Sequence, residues 1–84
     1  MIRSEVTVKR DFEARAAALF VQMAGKFDAE TKIEVNDKKI SCKSLMGVIA
    51  IGVSQGQHAV LSAEGADAET AVKELCEFLS GKDV

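Results

Sequence analysis

Ile2, Val6 and Val8 alternate with Arg3, Glu5, Thr7 and Lys9, a two-residue apolar period that predicts a half-buried strand. Arg10-Asp11-Phe12-Glu13 breaks that rhythm. From Ala14 to Lys26 the period becomes helical, with Ala17, Phe20, Val21 and Ala24 at i, i+3, i+4 and i+7. Gly25 and Lys26 suit the end of such a helix, where Gly permits a left-handed turn and Lys meets the negative end of the dipole. Thr31, Ile33 and Val35 form a second alternating strand, Asn36-Asp37 signals a two-residue turn, and Lys38 to Cys42 returns as a third strand facing inward through Ile40 and Cys42. A short helix over Ser44–Ile51 follows, closed by Gly52, and Ser54-Gln55-Gly56 makes a turn. Gln57 to Glu64 reads as a fourth strand with Ala59, Leu61 and Ala63 on one face. Asp67 is placed to cap a last helix with Glu69-Thr70 in its first turn, Ala68, Ala71, Val72, Leu75 and Leu79 as its apolar stripe, Cys76 at the margin and Gly81 at its end.

The predicted order is β-α-β-β-α-β-α. Strands with one apolar face and amphipathic helices hide each other's apolar sides in a two-layer α+β sandwich. Periodicity does not set strand order, so a ferredoxin-like split β-α-β arrangement competes with it. No linker, repeat or low-complexity stretch divides the 84 residues, which read as a single domain spanning 1–84.

Charge and cysteine usage narrow the function classes. A net charge of -2, with eleven dispersed cations and neither Trp nor Tyr, gives no basis for a nucleic-acid or membrane partner. Cys42 and Cys76 lack metal-ligand spacing and are read as small, reduced core residues, which with the absence of an apolar signal core in Met1-Ile2-Arg3-Ser4-Glu5 makes the expected location cytoplasmic.

The residues that could do chemistry are few. His58 has no acid at a spacing that implies a dyad, and is read as an exposed strand histidine without a task. Ser41 and Ser44 have no histidine nearby in sequence to activate them, no Gly-rich phosphate loop precedes a helix, and the carboxylates are scattered. Catalysis, a metal and a cofactor are therefore not expected.

Two helix N-termini stand out instead. Ser44 caps a helix whose Leu45, Met46, Val48, Ile49 and Ile51 point all round, so some must face solvent, and Lys43 precedes it. Its backbone N–H groups would also welcome a phosphate, and apolar side chains beside an anion site suggest a docking surface. An ordinary capped core helix is the plainer reading of the same segment. At the other start, Glu13 sits at or beside the cap with its carboxylate facing free N–H groups, while Arg15 in the first turn lies at the end of the dipole that disfavours cations, a hint that it holds an anion or an acidic partner.

Three segments together resemble the HPr family, the small phosphocarrier proteins of the bacterial sugar phosphotransferase system. They are Ala14-Arg15-Ala16-Ala17-Ala18-Leu19-Phe20-Val21, Lys43-Ser44-Leu45-Met46-Gly47-Val48 and Gly65-Ala66-Asp67-Ala68-Glu69-Thr70-Ala71. The resemblance implies an open-faced β-sandwich, a four-stranded antiparallel sheet with three helices on one face. It also exposes a departure. The family pattern places a phosphorylatable histidine before Ala-Arg-Pro, whereas here Glu13 precedes Ala14-Arg15-Ala16, so histidine and proline are both missing and the site reads as degenerate. Kept are the serine matched by Ser44, the preceding Lys43, Arg15, and the apolar Leu45, Met46 and Ile49 of the family's docking surface. In Gram-positive members a bifunctional HPr kinase/phosphorylase modifies that serine, and the product binds a catabolite control repressor. The resemblance therefore implies a regulatory, non-enzymatic member. Two alternatives remain: a phosphocarrier with an unusual acceptor, Glu13 or His58, or a repurposed binding module. A monomer is expected, with the short Asp11-Phe12 connector permitting exchange of the first strand between chains.

Overall fold

In the computed structural model, which describes residues 1–81, the elements follow the expected order. They are β1 (Ile2–Thr7), α1 (Ala14–Ala24), β2 (Glu30–Val35), β3 (Lys38–Ser41), α2 (Leu45–Ala50), β4 (His58–Glu64) and α3 (Ala68–Leu79). Residues 82–84, included in the expected domain, lie outside the described residues.

Strand order, which periodicity leaves open, is β1-β4-β2-β3 with every neighbouring pair antiparallel. Because side chains alternate across a strand, the register sorts them into two faces. Val6 pairs with Ala59, and Leu61 with both Ser4 and Ile33. Those positions carry the core: Ile33, Val35, Ala59, Leu61 and Ala63 are buried against the helices. Thr7, His58 and Lys39 lie on the opposite, open face and are exposed. The result is the two-layer α+β sandwich anticipated from the sequence. Helix α3 supplies Leu75 and Leu79, and α1 supplies Phe20, all fully buried.

Phe20 links the helical layer, standing edge-on to Phe12 at 5.6 Å and 6.0 Å from Phe78 between ring centroids. Phe78 belongs to the buried face of α3 although the apolar stripe drawn from the sequence omits it, and Arg10 lies 4.1 Å above its ring. The guanidinium covers the aromatic face in a cation–π contact.

Several local expectations hold. Asn36 and Asp37 both take positive φ, 54° and 66°, as the tight hairpin between β2 and β3 demands. Gly52 closes α2 with φ of 71°. Others are corrected. Gly25 ends α1 in right-handed geometry, φ -66° and ψ -15°, so its left-handed freedom goes unused, and the helix stops at Ala24 rather than Lys26. Strand β3 ends at Ser41 and β4 begins at His58, one residue inside each expectation. Asp67 occupies the cap position of α3 without capping it; its carboxylate is engaged 38 and 39 residues away, at Ala29 and Asp28.

Candidate functional site

Helix α2 is six residues long, too short to persist on backbone hydrogen bonds alone, so its surroundings hold it. The Ser44 hydroxyl accepts from Gly47 N at 3.1 Å, closing the first turn. Extended backbone at Ser44, φ -103° and ψ 104°, is the geometry an N-cap requires. Gly47 sits where space is short: a Cβ there would run into the Ile40 side chain, so a larger residue forces that side chain or α2 to shift. Val48 is the buried anchor.

Seated in this way, α2 turns Leu45, Met46 and Ile49 outward, 39%, 78% and 48% exposed. The expectation that an all-round apolar helix must show some of its residues to solvent is met by these three. Spaced at i, i+1 and i+4, they stand beside one another on the helix that the Ser44 hydroxyl caps.

The start of α1 adjoins it. Phe12, Glu13, Ala14 and Ala17 on one side, and Val48, Ile49, Gly52 and Val53 on the other, line a cavity of about 90 Å³. The start of α1 therefore meets the C-terminal half of α2, the end away from Ser44. Glu13 is the N-cap residue of α1 but its carboxylate makes no capping bond, contrary to the expectation that it would meet the free N–H groups. Arg15 is exposed and Ala16 buried. Glu13 and Arg15 border a second, open depression of about 510 Å³ with Lys9, Arg10, Asp11 and Leu19. Leu19, 46% exposed, is the apolar residue of this depression that α1 turns to solvent. The sequence reading did not single it out; its position off the i, i+3, i+4 stripe was the available signal.

Lys43 is exposed beside Ser44 as expected; its Nζ donates to the carbonyl of Phe27 at 2.7 Å, and its backbone N–H to Ser41 Oγ at 3.2 Å.

Elsewhere the chemistry is sparse. His58 is exposed as expected, yet its Nε2 lies 2.7 Å from Glu5 Oε1. This acid partner is 53 positions away in sequence and becomes a neighbour only because β1 pairs with β4. Burial pushes the Cys42 thiol up to about 12 and also raises Cys76, so neither offers a thiolate nucleophile at neutral pH. Both cysteines are free. Among the described residues no group of three or more His, Cys, Asp or Glu is placed to hold a metal ion, and no helix is long and apolar enough to cross a membrane.

The family model described as PTS HPr component phosphorylation site matches this chain over residues 2–81. The chain belongs to the HPr family. It is Crh-like: it is 39% identical over 75 residues to the HPr-like protein Crh of Bacillus subtilis, covering 89% of this chain and 88% of that one. The phosphocarrier protein HPr of Bacillus anthracis superimposes with a TM-score of 0.90 at 35% identity, covering 93% of this chain and 95% of that chain. A crystal structure of B. subtilis Crh, described as an intertwined dimer with a swapped domain, superimposes at 0.80 with 34% identity, covering 100% and 97% of the two chains.

Proposed function

We propose that this chain is an HPr-like regulator of carbon catabolite control, switched by phosphorylation at Ser44 and acting by binding partners rather than by relaying phosphate through a histidine. One observation carries the reading: a Ser hydroxyl at a helix start, bordered by exposed Leu45, Met46 and Ile49, on a chain with Glu13 in the transfer position. In the reaction, Ser44 Oγ attacks the γ-phosphorus of ATP, ADP leaves, and the hydroxyl proton passes to the kinase or to solvent. The product carries about -1.5 to -2 charges and three strong acceptor oxygens. Beside the N–H groups that open α2, that charge is accommodated without refolding, and it changes how the surface reads to a partner. Arg15 and the apolar residues supply the rest of the contact, Arg15 by charge-assisted hydrogen bonds.

The partners this reading assigns are an HPr kinase/phosphorylase and a catabolite control repressor. The chain acts as a monomer in the cytoplasm, and β1, an edge strand paired only with β4, is the segment that would move in a swapped dimer of the kind described for B. subtilis Crh. The carrier alternative is less well supported, because Glu13 forms a different linkage from a phosphohistidine and His58 Nε2 is engaged by Glu5.

Incubation with HPr kinase and ATP, with mass spectrometry to locate the label, tests the proposal. Stoichiometric phosphate on Ser44, abolished in Ser44→Ala, is the expected result. Label of equal yield in Ser44→Ala, or transfer of phosphate from phosphoenolpyruvate through this chain to a sugar permease component, overturns it.

A further inference from the structure

The turn between α1 and β2 is gripped from two sides by opposite charges. Asp67 accepts from Asp28 N at 2.9 Å and from Ala29 N at 2.8 Å. Lys43 Nζ donates to the carbonyl of Phe27, the residue just before them, at 2.7 Å. Hydrogen bonds with an ionised partner are roughly twice as strong as neutral ones, so three consecutive residues are clamped through both kinds of backbone group. The Asp67 carboxyl is held below its ordinary value first by the Asp28 amide, with Ala29 N–H and the Lys43 charge acting in the same direction. Gly65 closes the third side: a Cβ there would lie 2.8 Å from Ala29 Cα.

Lys43 is tied at its other end too, through its backbone N–H to Ser41 Oγ, and Ser44 N donates to Ser41 O at 3.1 Å. The residue just before the cap of a six-residue helix is therefore fixed at both main chain and side chain. One of the three donors of this exposed ammonium is committed to a carbonyl.

We propose that Lys43 is a positioning residue for Ser44: anchored on Phe27 O, in a turn that Asp67 holds in place, it sets the direction in which the chain enters α2 and thereby the Ser44 Oγ–Gly47 N contact and the presentation of that hydroxyl. Asp67, 23 residues beyond Ser44, governs the same geometry through the turn. The proposal rests on the reading of Ser44 as the modified residue.

The test uses the full chain with Lys43→Met, which keeps the aliphatic stem and loses the donor, Lys43→Arg, which keeps a donor, and Asp67→Asn. Amide hydrogen exchange at Gly47 is followed by NMR against Leu61 in the central strand β4, and Ser44 phosphorylation by HPr kinase is measured as kcat and KM separately. In Lys43→Met, Gly47 exchange relative to Leu61 is expected to rise roughly fivefold, the equivalent of one lost hydrogen bond, with kcat falling by a similar factor and KM holding. Asp67→Asn moves both readouts in the same direction, the double variant adds little to either, and Lys43→Arg restores them. Unchanged Gly47 exchange in Lys43→Met overturns the proposal, as does a loss confined to KM, which marks a direct contact between Lys43 and the kinase. If the parent chain takes no phosphate, the reading of Ser44 fails instead, and Gly47 exchange still decides the positioning role.

Discussion

At the start of α2 a serine hydroxyl closes on the amide of Gly47 at 3.1 Å, whereas at the start of α1 the Glu13 carboxylate closes on nothing. The helices behind them explain the difference. Helix α1 runs eleven residues and buries Ala16, Ala17, Phe20 and Ala24, so packing sustains it and its cap position is released from structural duty. Helix α2 has six residues and one buried side chain, Val48, so the cap and the close approach at Gly47 do much of what packing does for α1. The side chain at the cap of α1 is thus separable from the fold, while the hydroxyl at the cap of α2 is part of it. Substitution at Ser44 therefore acts on the capping of α2, whereas substitution at Glu13 acts on charge alone.

The comparison breaks most visibly at Gly47. Gly47→Ala places a methyl group against Ile40 at a distance that side chain must give way to, an overpacking expected to cost about 1–3 kcal/mol. Urea denaturation with an unchanged slope measures it. If Gly47→Ala matches the parent midpoint, α2 tolerates displacement from β3 and its dependence on that contact is wrong. Ser44→Ala comes next. Loss of the cap hydrogen bond is expected to lower stability by about 1 kcal/mol, read in the same urea titration without any kinase present. A negligible change would mean that α2 is held by its neighbours alone.

The cap at Ser44 was legible because its cause is local: a Ser directly before an apolar block has few other uses, and the tight turn at Asn36-Asp37 was legible for the same reason. Element order and the buried face of each strand followed from period-two spacing. The sequence misled wherever a polar group found a distant partner. Asp67 has the type and position of an N-cap, yet two amides 38 and 39 residues upstream compete for it and win. His58 lacked an acid at any local spacing because Glu5 arrives through strand pairing. Lys43 is the surface cation it reads as, but the Phe27 carbonyl it bonds lies 16 positions away. Gly25 shows the converse error, a residue allowed a left-handed turn that the chain does not make. Identity and spacing report what a side chain can bond to; the sheet order decides which of those groups is present.

A smaller loss with a pH signature is expected at Asp67. Its carboxyl titrates below the ordinary value of 3.8 because the native state supplies the Asp28 and Ala29 amides to the anion. Between the lowered native value and 3.8 the unfolded chain binds more protons than the native one, so stability rises with pH there. The stabilisation is full above the ordinary range and is lost as pH falls through the native value. Asp67→Asn should therefore denature at lower urea than the parent at pH 7, and the gap should close in strongly acidic buffer. A gap that stays constant with pH would show that the interaction does not depend on the carboxylate charge.

Glu13→Gln sharpens the comparison from its quiet side. No capping bond exists to lose, the carboxylate is exposed, and an exposed change away from packing usually falls within about 0.5 kcal/mol of the parent in either direction. What changes is one negative charge near the positive end of the α1 dipole, in a depression that also holds Lys9, Arg10 and Arg15. Any effect on stability should therefore shrink as salt is added, because exposed charges are screened over about 10 Å at 0.1 M ionic strength. The loss on Ser44→Ala should not, since a neutral hydroxyl-to-amide bond has no net charge to screen. Parallel urea titrations of the two variants at low and high salt separate these behaviours. A salt-independent loss in Glu13→Gln as large as that in Ser44→Ala would mean that Glu13 caps α1 after all, and that the two helix starts differ in residue but not in role.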